Sequence, residues 1–125
     1  MRIASDVLGT LKGHKGDVIH EALTRLIAQG HEVVVWSSDY GLAVNEAKQR
    51  GLDVNTATSK FAKYEANEQG KELFDVAIED DHMQKRYLAA KRFIMVDEIT
   101  DVDSLVNMIL NPSPVVQNEN QDDEF

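Results

Sequence analysis

Residues 2–11 read Arg2-Ile3-Ala4-Ser5-Asp6-Val7-Leu8-Gly9-Thr10-Leu11, a short strand-like segment that runs into a glycine-punctuated loop. The strand covers Arg2 to Ser5, and the loop continues to Gly16. A helix is predicted from about Asp17 to Gln29. Its apolar positions Val18, Ile19, Ala22, Leu23, Leu26 and Ile27 fall on one stripe at helical spacing, and Gly30 stands where a helix stops. Glu32 to Trp36 follows, with the unbroken apolar run Val33-Val34-Val35-Trp36 of a strand buried on both faces. Strand, loop, helix and buried strand in that order make a parallel βαβ unit, and the rest of the chain repeats the alternation.

Gly41 to Arg50 is a weaker helix ending at Gly51, and Leu52 to Ala57 is a candidate third strand. Phe61 to Glu72 is helical in composition, Phe74 to Ile78 is a fourth strand, His82 to Lys91 a fourth helix, and Phe93 to Val96 a fifth strand. The last helix carries Val102, Leu105, Val106, Ile109 and Leu110 on its buried stripe; Thr100 and Asp103 stand at capping-box spacing, and Pro112 and Pro114 end it. Five alternations call for a three-layer, Rossmann-like α/β fold: a doubly wound sheet of about five parallel strands, covered on both faces. Residues 1–111 form one domain. Residues 112–125 form an acidic tail without periodicity, expected to be disordered.

At 125 residues the chain is long enough to bury one core without staples. It has no cysteine, which excludes disulfides, thiolate metal sites and cysteine nucleophiles. No apolar run approaches membrane-spanning length, and the N-terminus shows no signal-peptide pattern, so a cytoplasmic location is expected. The net charge is −9; without the four acidic residues of the tail it is still −5. That balance argues against general nucleic-acid binding and against anionic membranes, both of which require Lys and Arg to meet phosphate.

In an open parallel sheet, ligands bind beyond the carboxyl ends of the strands. Those ends carry Asp6, then Ser37-Ser38-Asp39, then Glu79-Asp80-Asp81, then Asp97-Glu98; Lys60 and Lys63 precede the fourth strand. Taken singly, each has a plain explanation as a turn, a cap or a solvated loop. Their joint occurrence at successive strand ends points to a site, with Asp97-Glu98 set aside as a loop and helix-cap feature.

The segment Asp6-Val7-Leu8-Gly9-Thr10 resembles the signature of the haloacid dehalogenase superfamily, an Asp nucleophile followed by x-Asp-Gly-Thr. Val33 to Ser38 resembles that family's second motif, an apolar strand ending in Ser or Thr. Lys60 or Lys63 falls where its lysine lies, with Lys60 preferred because it begins the helix. Val76 to Asp81 resembles its fourth motif, an apolar strand ending in an acidic pair. The resemblance spans about Arg2 to Val96 and implies a Mg²⁺-dependent phosphohydrolase. In that picture Asp6 attacks phosphorus, and Lys60 neutralises charge in the transition state. Ser37, Ser38, Gly9 and Thr10 form the phosphate-binding part. Asp6, the Leu8 carbonyl and a carboxylate from Glu79, Asp80 or Asp81 hold the metal.

The sequence departs from the signature at Leu8, which stands where the family has its general acid–base Asp. Losing such a group typically lowers rates by about 10²–10⁴. Ser5 is a smaller departure, since a large apolar residue usually precedes the nucleophile. His14 is a weak substitute for the missing acid–base group, as Lys12 and Lys15 are weak substrate contacts; His20, His31 and His82 lack metal-ligand spacing. The loops Leu11 to Gly16 and Thr56 to Lys60 leave no room for a cap domain, and an open site suits a phosphorylated substrate that is extended or macromolecular. A catalytically impaired binding or regulatory protein on the same fold is the alternative function. A receiver-like phosphoacceptor fits worse, because it needs an Asp ending strand three and a Lys after strand five.

Overall fold

The computed structural model describes residues 1–60, 74–81 and 90–112. The elements are β1 (Arg2–Ser5), α1 (Gly16–Ala28), β2 (Glu32–Ser37), α2 (Tyr40–Arg50), β3 (Thr58–Ser59), β4 (Phe74–Glu79), β5 (Ala90–Met95) and α3 (Val102–Leu110), with a 3₁₀ turn at Val96–Glu98 before α3. The five strands form one parallel sheet in the order β3-β2-β1-β4-β5. This is the Rossmann-like α/β architecture expected, and its switch point lies between β1 and β4, where the winding reverses direction.

Pleating sorts the strand residues into two faces. Ile3, Val33, Val35, Val76, Ile78 and Ile94 share one core with Ile19, Leu23 and Leu26 of α1, Ala43 and Ala47 of α2, and Leu105 and Ile109 of α3. Ala4, Val34, Trp36, Phe74, Ala77 and Ala90 face the other way. There Trp36 meets Phe74 edge-on, with ring centroids 5.2 Å apart. Ile19, Ala22, Leu23 and Leu26 of the expected stripe and the apolar run 33–36 are buried, Val18 is partly buried, and Ile27, expected on the stripe, is 43% exposed at its edge.

Three boundaries differ from the expectation. The third strand is Thr58–Ser59, not Leu52 to Ala57. Asp53 closes a turn instead: its carboxylate accepts the Asn55 N–H at 2.9 Å, and its carbonyl accepts the Thr56 hydroxyl at 3.3 Å, so the chain straightens only afterwards. The fifth strand starts at Ala90, where a helix was expected to run through Lys91. Ala90 is paired with Phe74 and buried against the Trp36 face, so the β4 ladder outweighs local helix propensity. The cap of α3 is Asp101, whose carboxylate accepts the Ser104 N–H at 2.8 Å; Thr100 instead hydrogen-bonds the Ser104 hydroxyl. The expected helix at 61–72, most of that at 82–91, and the tail beyond residue 112 lie outside the described residues. Among the described residues no helix is long and apolar enough to cross a membrane.

Candidate active site

β1 delivers Asp6 to the switch point. The Asp6 N–H donates to the Ile78 carbonyl at 3.0 Å, extending the β1–β4 ladder by one residue. The chain then folds back tightly: the Val7 carbonyl accepts N–H groups from Thr10 (3.1 Å) and Lys12 (2.8 Å), and the Asp6 carbonyl accepts that of Leu11 (3.3 Å). Val7 and Leu11 are fully buried, each contributing about 1.5–3 kcal/mol of apolar burial, and they pin the loop to the core. Leu8 between them is turned outward and is 56% exposed. Gly9 has φ +76°, a conformation strained for any other residue, and a Cβ there would lie 2.1 Å from Asp80 Oδ2, so the Asp80 side chain would have to move. Ser5, the small residue before Asp6, is buried and satisfied, its hydroxyl donating to the Asp6 carbonyl at 3.2 Å.

The Asp6 carboxylate is held from two sides. Lys60 Nζ lies 3.0 Å from Oδ1, and the Thr10 hydroxyl donates to Oδ2 at 3.2 Å. Lys60, immediately after β3, also lies 2.9 Å from Glu79 Oε1 and 5.9 Å from the centre of the Trp36 ring. All four of Asp6, Thr10, Lys60 and Glu79 are buried. One carboxylate oxygen from each of Asp6, Glu79 and Asp80 lies within 4.8 Å of the other two.

The two buried carboxylates, Asp6 and Glu79, share one ammonium and are both raised. Burial pushes Asp6 up from 3.8 to about 6; Lys60 opposes this and the nearby Asp80 carboxyl adds to it. Burial, followed by the charge of Asp6, pushes Glu79 up from 4.5 to about 7. The Trp36 indole N–H favours the Glu79 anion without reaching hydrogen-bond geometry, so Trp36 Nε1 and Glu79 Oε2 are both buried without a hydrogen-bond partner. Burial alone would lower Lys60, but Glu79 and Asp6 outweigh it and its pKa is raised. An orphaned carboxylate oxygen in an acidic cluster of oxygen donors fits a hard divalent cation. Asp6 and Asp80 face the cleft, whereas Glu79 sits behind them, against Lys60.

Above this cluster opens a cleft of about 280 Å³. Asp6, Lys60, Ser37 and Ser38 supply polar lining, joined by Asp39, Asp80 and Asp81, while Leu8 and Leu42 supply the apolar part. Ser37 Oγ accepts the Asp39 N–H at 3.2 Å, which leaves its own O–H to donate. Asp39 is the cap of α2, accepting N–H groups from Gly41 (2.8 Å) and Leu42 (3.4 Å).

The expected site residues converge with some redistribution. Asp6, Leu8, Ser37, Ser38, Lys60, Asp80 and Asp81 line one cleft. Gly9 and Thr10, expected at the phosphate, instead shape the loop and hold Asp6. Lys63 and His82 fall outside the described residues. Lys15 binds the carbonyls of Val96 and Ile99, and Lys12 pairs with Glu46 at 3.4 Å; neither they nor His14 line the cleft. Glu98 accepts the Met95 N–H at 3.1 Å, the capping role expected of that pair.

A second buried polar group was not anticipated. Glu46 is 2% exposed and lies 3.0 Å from Arg50 and 3.4 Å from Lys12. Arg50 also reaches Asp17 at 3.0 Å and the Leu11 carbonyl at 2.8 Å, tying α2 and the start of α1 to the Asp6 loop. The only trace in sequence is the i,i+4 spacing of Glu46 and Arg50, which is common on solvated helices. Comparison with known proteins adds nothing to this geometry: no family model, curated protein or solved structure matches the chain.

Proposed function

We propose that the protein is a cytoplasmic, Mg²⁺-dependent phosphohydrolase of the haloacid dehalogenase-like type, acting through an aspartyl-phosphate on Asp6. One observation carries this reading: a buried carboxylate, oriented by Lys60 and Thr10, at the switch-point crevice beside a second carboxylate and opposite two serines. Lys60 and Thr10 fix one orientation of Asp6, which is what an attack in line with a leaving oxygen demands. Ser37 and Ser38 can donate to phosphoryl oxygens, and the Lys60 ammonium offsets negative charge on the phosphoryl group. Asp6 and Asp80 would hold Mg²⁺, with the Leu8 carbonyl as the resemblance implies. When bound, the ion supplies charge neutralisation between an anionic substrate and an acidic cleft. No cap closes over the cleft from residues 6–15, which suits an extended or macromolecular phosphorylated substrate.

Hydrolysis of an aryl phosphate with Mg²⁺, run beside Asp6→Asn, tests the reading. Activity lost in Asp6→Asn supports it, and equal background from both proteins rejects it for that substrate. The exposed Leu8 favours a second reading, a regulatory or binding protein with impaired turnover. That reading predicts Mg²⁺-dependent binding of a phosphoryl-mimicking metal fluoride without hydrolysis.

A further inference from the structure

Leu8 is out of place by the logic of its own loop. Its neighbours Val7 and Leu11 are fully buried, yet Leu8 is 56% exposed in a cleft otherwise dominated by charged and hydroxyl groups. The turn that presents it is fixed by backbone hydrogen bonds and by the positive φ of Gly9, so the exposure is built in. Leu42, from the first turn of α2, also lines the cleft, and Tyr40, directly after the lining residue Asp39, is 58% exposed. The cleft therefore carries an apolar part, Leu8 and Leu42, beside its charged and hydroxyl groups.

The polar lining has a corresponding gap. A phosphoryl leaving group with a strongly basic oxygen needs a proton as the P–O bond breaks. Among the described residues, none lining the cleft is placed to give one. Asp39 is spent capping α2, Lys60 is held between Asp6 and Glu79, and Asp81 is engaged by a partner of its own. Asp80 lies against Asp6 and Gly9, and the serine hydroxyls are far too weakly acidic.

Resting on the phosphohydrolase reading, we propose that the substrate is an aryl phosphate, its ring seated against Leu8 and Leu42, whose phenolate departs without protonation. An Asp6 carboxylate oxygen bonds to phosphorus while the bond from phosphorus to the aryl oxygen breaks, and the electron pair leaves as phenolate. Water then displaces the Asp6 oxygen from phosphorus to give inorganic phosphate, and a proton from that water reaches the phenolate through solvent. A tyrosine-like phenol, with a pKa of about 10, leaves far more readily than an alcohol. Contact with Leu8 and Leu42 adds binding that an alkyl phosphate of equal charge lacks.

The test uses the full-length protein with Mg²⁺ on substituted phenyl phosphates and on a linear alkyl phosphate of similar size. The expected result is a steep dependence of kcat/KM on the leaving-group pKa, with the alkyl ester at least about 100-fold slower than phenyl phosphate. Leu8→Asp, at an exposed position, should narrow that ratio by about tenfold or more by restoring a proton donor. Leu42→Ala should raise KM for the aryl substrates severalfold, and by more than it raises KM for acetyl phosphate, which has a good leaving group and no ring. Asp6-dependent activity with equal aryl and alkyl rates would overturn the aryl assignment while leaving the Asp6 reading intact. Activity unchanged in Asp6→Asn would instead remove the reading beneath it.

Discussion

Two polar clusters, each built on buried carboxylates with exposed members at the edge, differ in charge balance among the described residues. Around Glu46, two carboxylates (Glu46 and Asp17) meet two cations (Arg50 and Lys12). Around Asp6, among the described residues, three carboxylates meet the ammonium of Lys60. The first cluster is matched charge for charge and spends its remaining donor on a backbone carbonyl, which is how a brace is built. Each cluster holds one buried carboxylate oxygen without a hydrogen bond, Glu46 Oε1 in the first (3.4 Å from Lys12 Nζ) and Glu79 Oε2 in the second, but the second alone supplies residues that line the cleft. Unmatched buried charge is costly unless another cation shares it, so the imbalance separates a binding centre from a structural tie.

Substituting one residue in each cluster should break the comparison most sharply. Asp6→Asn is expected to remove turnover by at least about 10³-fold, because an amide cannot form the acyl-phosphate. Its melting temperature should stay level or rise, since a crowded negative charge disappears. Arg50→Met is expected to do the reverse. It leaves Glu46 with Lys12 alone and frees the Leu11 carbonyl, destabilising the fold by about 2–3 kcal/mol while retaining measurable turnover. Denaturant unfolding beside the phosphatase assay reads both; a large stability loss in Asp6→Asn would show that its cluster is a brace too.

Lys60→Met comes next, because it removes the cation that pairs with Asp6 and Glu79 among the described residues. Breaking a buried pair in this way costs about 3–5 kcal/mol. Mg²⁺ should recover part of that loss in Lys60→Met and none of it in Arg50→Met, which thermal melts with and without the ion will show.

The pH dependence has a definite sign. Asp6 and Glu79 titrate at about 6 and about 7 in the folded protein, above their ordinary values of 3.8 and 4.5. Between those limits the folded state holds protons that the unfolded chain has lost, so their contribution to stability is full below about pH 4 and lost as pH rises through 6 and 7. A cation binding the ionised forms should therefore raise the melting temperature more at pH 7.5 than at pH 5. Equal Mg²⁺ shifts at both pH values would mean that the ion binds elsewhere.

Much of this was legible before any coordinates, and the reasons differ by element. β1, β2 and β4 announce themselves because their apolar runs are bounded by polar strand ends, and those ends are the site. Lys60 was readable as one of two candidates and lies beside Asp6 and Glu79, while Lys63 lies outside the described residues. The two-residue β3 was not, because its ladder to Trp36 and Ser37 exists only once the Asp53 turn has formed. Thr10 carried a motif position but not its direction; only the folded loop turns its hydroxyl onto Asp6. Glu46 was silent for a deeper reason. Its partners Lys12 and Arg50 lie 34 and 4 residues away, and nothing local distinguishes a buried ion pair on a helix from an exposed one.

The smallest effect expected separates the neighbours Asp80 and Asp81, which sequence alone cannot rank. Both line the cleft, but only Asp80 places a carboxylate oxygen within 4.8 Å of those of Asp6 and Glu79. Asp80 also packs closely over Gly9, where a Cβ would lie 2.1 Å from its Oδ2. Asp80→Asn should therefore weaken Mg²⁺ activation about tenfold or more, and Asp81→Asn by less than about threefold, the scale of a screened charge at the rim. Titrating activity against Mg²⁺ for both variants decides it. If Asp81→Asn shows the larger shift, the cation lies nearer the mouth of the cleft, and the Asp6–Asp80 approach belongs with the brace rather than the binding centre.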